Sequence, residues 1–237
     1  MLKLKPILLG AVFTVLIILL LPNILNWVAE KSIEEYKEKA DMGDAFFKNE
    51  LGVMYEYGPG FLAKNYKKSA SYYASAADQG YAAAQWNLGR MYKYGKGVEK
   101  DEKKALELIT KAAESGNEHA QLDLGRMYRD GDIVKKDLSL AIKFFEKSSG
   151  KGLGAAQIDL ALMYINGSGT PQNFSKAIGL LEKASRIYPQ ASYILGSLYY
   201  ADNENMKRDL VKAKHYYKDA ADRGHEEAKK MLDKISF

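Results

Sequence analysis

The stretch WNLGRMYKYG at residues 86–95 returns as LDLGRMYRDG at 122–131 and IDLALMYING at 158–167, and more loosely as NELGVMYEYG at 49–58 and YILGSLYYAD at 193–202. A phrase that recurs at regular spacing marks a chain built from stacked copies of one supersecondary unit. A second signal runs in the same phase: Asn65, Asp101, Asp137, Asn173 and Asp209 each follow the last by 36 residues. A short side chain with an acceptor oxygen satisfies a first-turn amide that has no partner within its helix, so these five positions read as N-caps. Four residues beyond each cap stands a small residue (Ser69, Ala105, Ala141, Ala177, Ala213), then bulk (Tyr72, Leu108, Phe144, Leu180, Tyr216), then a small residue again (Ala76, Ala112, Ser148, Ala184, Ala220). Spacings of three and four place them on one helix face, which is expected to pack on a partner helix. Gly80, Gly116, Gly152 and Gly224 end that helix, with Tyr188-Pro189 as the stop in the fourth copy. Gly52, Gly89, Gly125 and Gly196 lie inside the first helix of their copies, where glycine costs about 1 kcal/mol relative to alanine. Close backbone packing is the expected reason.

Composition agrees with a folded, helical chain. Of 237 residues, 47% are hydrophobic and 27% charged, with 20 glycines and 5 prolines, which excludes disordered and collagenous classes. The absence of cysteine removes a disulfide framework, a thiolate zinc site, an iron–sulfur cluster and a cysteine nucleophile together. The net charge of +5 is too mild to imply nucleic acid.

Between Lys5 and Glu30 there is no charge, and Ile7 to Leu21 reads ILLGAVFTVLIILLL. A helix over residues 7–29 would be roughly 34 Å long, enough to span a bilayer with some tilt. Pro22 shortens the deep apolar part and leaves Asn23, Asn26 and Trp27 for the interface. A cleaved signal peptide is the rival reading, but cleavage after Ala29 would put bulky Trp27 where a small residue belongs. We favour an uncleaved anchor. Lys3 and Lys5 set the amino terminus in the cytoplasm and the remaining chain outside it.

The pattern Ala-x-x-x-Leu-Gly-x-Met-Tyr-x-x-Gly, a short loop, Asp-x-x-x-Ala, then Ala-Ala and a closing Gly resembles the Sel-one-like repeat family, a relative of the tetratricopeptide repeat. The second copy carries it most completely, with Ala84, Leu88, Gly89, Met91, Tyr92, Gly95, Gly97, Asp101, Ala105, Ala112, Ala113 and Gly116. Phe47, Ala161 and the Asp202-Asn203-Glu204-Asn205 loop depart from it. The resemblance implies an α-solenoid, a right-handed superhelix of antiparallel helix pairs, so the expected fold is all-α, with the N-terminal transmembrane helix read from the apolar run placed before the solenoid. The expected organisation is a cytoplasmic tip and anchor over 1–29, a linker or capping helix over 30–42, and five repeats over 43–224 (about 44–80, 81–116, 117–152, 153–188 and 189–224). A polar capping helix over 225–237 completes it. The resemblance also implies an adaptor that binds another protein, and with the anchor and its orientation the expectation is a bacterial inner-membrane protein with its repeats in the periplasm and a membrane or periplasmic partner. The alternative it carries is a periplasmic immunity protein that neutralises a secreted antibacterial effector such as a lipase.

No chemistry stands out from the repeat. His119, His215 and His225 have no partner histidine four residues away, so neither a metal nor a cofactor is expected. The Gly167-Ser168-Gly169-Thr170 turn occupies the place of Gly95-Lys96-Gly97 and reads as a repeat turn rather than a phosphate loop. Asp130 and Asp132 fall in the variable loop with no nucleophile beside them. A glycan hydrolase would need two carboxylates roughly 5–10 Å apart across a cleft, and no pair points to one. Tyr55, Tyr92, Tyr128, Tyr164 and Tyr199 recur at one repeat position and read as core. Once packing positions are subtracted, the inner face is expected to expose Gln85, Arg90, Lys93, Gln121, Arg126, Arg129, Gln157 and Ile165, suited to carboxylates or carbonyls of a protein partner. The competing reading pairs Arg90 and Arg126 with Asp123 and Asp159.

Overall fold

The structure, a computed structural model, describes residues 31–58, 62–202 and 207–235. The expected membrane segment over 7–29 lies outside the described residues. Among the described residues no helix is long and apolar enough to cross a membrane.

The described chain is helical, without strands. After α1 (31–41) come α2 (Ala45–Tyr57), α3 (Tyr66–Ala77), α4 (Ala82–Tyr94), α5 (Glu102–Glu114), α6 (Glu118–Asp130), α7 (Leu138–Gly150), α8 (Gly154–Asn166), α9 (Phe174–Ser185), α10 (Pro189–Tyr200), α11 (Leu210–Asp222) and α12 (Glu226–Ile235). The chain divides into two compact units, Met1–Leu108 and Ile109–Phe237. In the first, α3 packs on both α2 and α4; in the second, each helix from α6 to α12 packs on the next.

The 36-residue ladder caps the second helix of each pair. Oδ1 of Asn65, Asp101, Asp137, Asn173 and Asp209 accepts from the backbone N–H three residues on, at 2.9–3.0 Å. The same residues anchor the loop behind them, since their own N–H groups donate to the carbonyls of Tyr55, Tyr92, Tyr128, Tyr164 and Tyr199 at 2.7–3.0 Å. Each cap therefore fixes both the start of one helix and the end of its partner. The left-handed stops are present at Gly116 (φ 90°) and Gly152 (φ 89°), while Pro189 opens α10.

One expectation is corrected by a single residue. The bulk that fills the core is Tyr73, Ile109, Phe145, Leu181 and Tyr217, all fully buried, and not the residue before each. Its rings press on the glycines of the facing helix. A methyl group added at Gly52 would lie 2.5 Å from the Tyr73 ring, and one at Gly125 or Gly196 would lie 2.7 Å from Phe145 or Tyr217. Alanine is tolerated at position 161 because Leu181, slimmer than a ring, occupies the facing place in that cluster. The preceding bulky residue forms a second, half-buried layer on the recurring tyrosines: Tyr55–Tyr72, Tyr128–Phe144 and Tyr199–Tyr216 stack with centroids 5.7–5.9 Å apart. Of the recurring tyrosines expected in the core, Tyr55 and Tyr164 are buried and the other three half-buried. At the chain's far end α12 covers α11 through Ala228, Met231, Leu232 and Ile235, as expected of a capping helix.

Candidate functional site

The three inner-face glutamines are not exposed. Gln85, Gln121 and Gln157 are buried, and the amides of Gln85 and Gln121 donate to the carbonyls of Ala77 and Ala113 at 3.4 and 3.0 Å. Those carbonyls belong to the last turns of α3 and α5, where the helix supplies no amide donor four residues on and the Gly80 and Gly116 N–H groups donate to them at 2.9 and 3.1 Å. The physical reason for the correction is therefore helix capping: an amide in the first turn of one helix satisfies the open end of the helix before it. Ile165 is half-buried against the core of the second unit.

The cations divide between the units. In the first, the Arg90 guanidinium lies 4.9 Å from the Trp86 ring centroid and Lys93 Nζ lies 5.7 Å from that of Tyr94. Buried polar groups of the same unit pair with one another across helices: Asn87 Nδ2 donates to Asn49 Oδ1 at 3.0 Å, and the Tyr73 hydroxyl donates to Glu56 Oε2 at 2.9 Å. Burial, reinforced by the Glu56 charge, pushes the Tyr73 phenol far above its ordinary range.

In the second unit, Arg126 and Arg129 converge on one carboxylate. Arg126 Nε donates to Asp159 Oδ2 at 2.7 Å and Arg129 Nη1 to Asp159 Oδ1 at 2.9 Å. Arg129 also grips Asp130 in a two-pronged fork, Nε to Oδ1 at 2.7 Å and Nη2 to Oδ2 at 2.9 Å. That hydrogen bonding raises the Arg129 guanidinium and holds the Asp130 carboxyl below its ordinary value. Asp159 is nearly buried on α8, one repeat further on, so the competing reading of Arg126 as a partner of Asp159 describes what forms. Beside this cluster is a cleft of about 290 Å³ whose lining combines the polar Arg129, Asp130, Lys136, Asp159, Asn166 and Ser168 with the apolar Leu138, Leu162 and Met163. Leu162 was not foreseen there. Its signal is present in the repeat register, where it follows Arg90 and Arg126 at the same position.

Chemically the arrangement fits binding. With three of its five N–H groups given to Asp130 and Asp159, Arg129 keeps two beside the apolar Leu162 and Met163, which suits a carbonyl or carboxylate presented next to an aliphatic side chain. Among the described residues, no group of three His, Asp or Glu side chains is placed to hold a metal ion. His225 is structural: its ring stacks on Tyr193 at 4.4 Å, Nδ1 accepts from the Ala228 amide at 3.3 Å, and Nε2 lies 2.8 Å from Gln190 Oε1.

The repeat, its caps and its glycine–ring contacts define a helical-repeat protein of the tetratricopeptide-like class. The Sel1 repeat model matches five times, over residues 48–81, 82–117, 118–153, 154–186 and 189–225, and the chain belongs to the Sel1 repeat family. A Sel1 repeat protein from Oxalobacter formigenes has the same fold with a TM-score of 0.74 at 30% identity, over 86% of this chain and 89% of that one. A protective antigen of uropathogenic Escherichia coli is similar at 29% identity and a TM-score of 0.73, over 84% of this chain and 43% of its own. An immunity protein from Pseudomonas aeruginosa shares the fold at 21% identity and a TM-score of 0.55, over 80% of this chain and 72% of that one. No curated protein matches the sequence.

Proposed function

We propose that this chain is a non-catalytic adaptor, tethered to the bacterial inner membrane by residues 7–29, whose periplasmic repeats bind a protein partner through the inner positions of their first helices. The observation that carries the reading is the cleft beside Arg129, Asp130 and Asp159, where a pre-positioned guanidinium edge meets the aliphatic wall of Leu162 and Met163. Arg126 and Ile165 extend the same stripe, while in the first unit Arg90 and Lys93 hold the equivalent register. Tethering raises the effective concentration of any partner in or near the same membrane, so a modest cleft affinity suffices.

The test is affinity capture by the full chain in mild detergent from envelope extracts, beside the Leu162→Glu variant. One dominant, near-stoichiometric protein, lost from Leu162→Glu while helical content is unchanged, is the expected result. Capture that ignores the substitution, or no capture where a control repeat protein succeeds, overturns the reading. The fold shared with the Pseudomonas immunity protein supports a second role, neutralising a secreted effector such as a lipase. The identity of the retained protein separates the two: an envelope component marks an adaptor, a secreted toxin an immunity protein.

A further inference from the structure

The first unit has two edges that differ in charge. One is formed where first helices end and second helices begin, around the C-terminal turns of α2 and α4, the start of α3 and the loop at 95–100. Tyr57 and Tyr94, 58% and 59% exposed, stand there with Tyr66 at 37%. Such exposure is unusual for large aromatic side chains in a domain that has buried cores to put them in. Lys64, Lys67 and Lys96 lie exposed among them, and Lys96 Nζ is 5.8 Å from the Tyr66 ring centroid. The acids of this edge are engaged locally: Asp101 caps α5, Glu102 pairs with Lys100 at 2.6 Å, and Glu34 and Glu35, exposed near the residue-31 end of α1, pair with Lys37 and Lys39 at 2.5 and 2.7 Å, leaving Glu99 exposed in the loop. The opposite edge, at the turns 42–44 and 78–81, carries the exposed acids Asp41, Asp78 and Asp44, the last of which caps α2, together with the exposed side chains of Met42 and Phe46.

Topology ties the basic, aromatic edge to the chain's apolar segment. Helix α1 turns back at 42–44 into α2, so the two run antiparallel, with the Tyr36 and Phe47 rings meeting at 5.1 Å. Ile33 sits in the cluster that holds Leu51, Met54 and Leu62. The residue-31 end of α1 therefore lies beside the C-terminal half of α2, towards the edge that bears Tyr57. Residues 7–29 immediately precede it, so an anchor formed by them delivers the bilayer to the lysine and tyrosine edge and not to the acidic one.

Resting on the tethered reading above, we propose that the edge formed by Tyr57, Tyr66, Tyr94, Lys64, Lys67 and Lys96 is seated on anionic phospholipid headgroups of the membrane that holds residues 7–29. Tyrosine rings favour the headgroup level, where one end is apolar and the other wet, and lysines near an anionic surface add attraction that fades within a Debye length. The acids of the opposite edge turn away from the same surface, so the charge polarity orients the unit as well as holding it.

The chain has no cysteine, so single labelling sites are free of background. The experiment uses the full chain in vesicles of phosphatidylcholine with or without phosphatidylglycerol. A fluorophore is placed at Glu99→Cys or at Gln79→Cys on the opposite edge, and quenching by headgroup-level nitroxide lipid is measured. Several-fold stronger quenching at position 99 than at 79 is expected in phosphatidylglycerol vesicles. It should fall to the position-79 level in high salt or in the Lys64→Glu, Lys67→Glu, Lys96→Glu variant, with far-ultraviolet circular dichroism confirming that the variant is folded. Equal or absent quenching at the two positions, in a chain that floats with vesicles and resists carbonate extraction, overturns the edge while the tether stands. Carbonate-extractable chain with strong quenching at 99 leaves the edge and removes the tether; flotation with neither lipid removes both.

Discussion

Helices α6 and α8 are consecutive copies of one element, alike at most of their core positions and unlike along the inner stripe. Leu124, Met127 and Tyr128 of α6 correspond to Leu160, Met163 and Tyr164 of α8, whereas Arg126 and Arg129 correspond to Leu162 and Ile165. Packing positions meet nearly the same neighbours in every copy, so the same residue solves the same problem each time. The inner positions are partly open to solvent, with Arg126 and Arg129 reaching Asp159 of the next copy and Ile165 leaning on the core, and there each copy is free to differ. Asp159 receives both arginines, but its counterpart one repeat further on is Ile194. The stripe thus passes from an ionic step to an apolar step within one repeat, set in a nearly constant frame.

The sharpest way to break the constancy of the frame is at the ring that α6 accommodates and α8 does not. Phe145→Ala is expected to cost about 3–5 kcal/mol of stability in chemical denaturation, since a fully buried ring leaves a cavity against Gly125. Gly125→Ala is expected to cost about 1–3 kcal/mol by overpacking, because its methyl would lie 2.7 Å from the same ring. Combining Gly125→Ala with Phe145→Leu reproduces the Ala161 and Leu181 pair of the next copy and should recover most of the loss attributed to the alanine. If the double variant is merely the sum of the singles, the glycine–ring pairing is not what distinguishes these copies.

The frame was largely legible in the sequence, and the reason is physical. An N-cap demands an acceptor on a short side chain at one position, so Asn65 through Asp209 could be read off directly, and each forms its cap. The choice of core residue was less legible because two bulky residues stand side by side in every copy: Tyr72-Tyr73, Leu108-Ile109, Phe144-Phe145, Leu180-Leu181 and Tyr216-Tyr217. Neighbours are only about 100° apart on a helix, and a period of 3.6 does not choose between them. The candidate site was less legible still. Polarity alone places a glutamine outside, whereas Gln85 and Gln121 are drawn inward by carbonyls at the end of another helix, a partner that becomes visible only after packing.

The ionic step can be removed or moved. Asp159→Ala is expected to cost about 1–2 kcal/mol, less than the loss of a wholly buried pair. Arg126 and Arg129 remain partly open to water, and Arg129 keeps Asp130. Adding Leu162→Arg together with Ile194→Asp attempts the same bridge one repeat later. A double-mutant cycle should show a favourable coupling of roughly 0.2–1 kcal/mol, and zero coupling would mean that the register of α8 and α10 does not reproduce that of α6 and α8.

The smallest effect concerns protons. Hydrogen bonding to Arg129 holds the Asp130 carboxyl below its ordinary value, so through the acid range the unfolded chain binds more protons at this position than the native one. The resulting stability is complete above the unfolded pKa, near 4 for an aspartate, and disappears as pH falls through the depressed native value. Because the Asp130 side chain is about half exposed, solvent screening keeps the contribution small. Asp130→Asn should therefore leave the denaturation midpoint at neutral pH nearly unchanged and flatten its decline below about pH 4 relative to the parent chain. The same substitution strips one arm of the Arg129 fork, so a neutral-pH loss as large as that of Asp159→Ala would mean that Asp130, rather than the buried carboxylate of the next repeat, fixes the guanidinium.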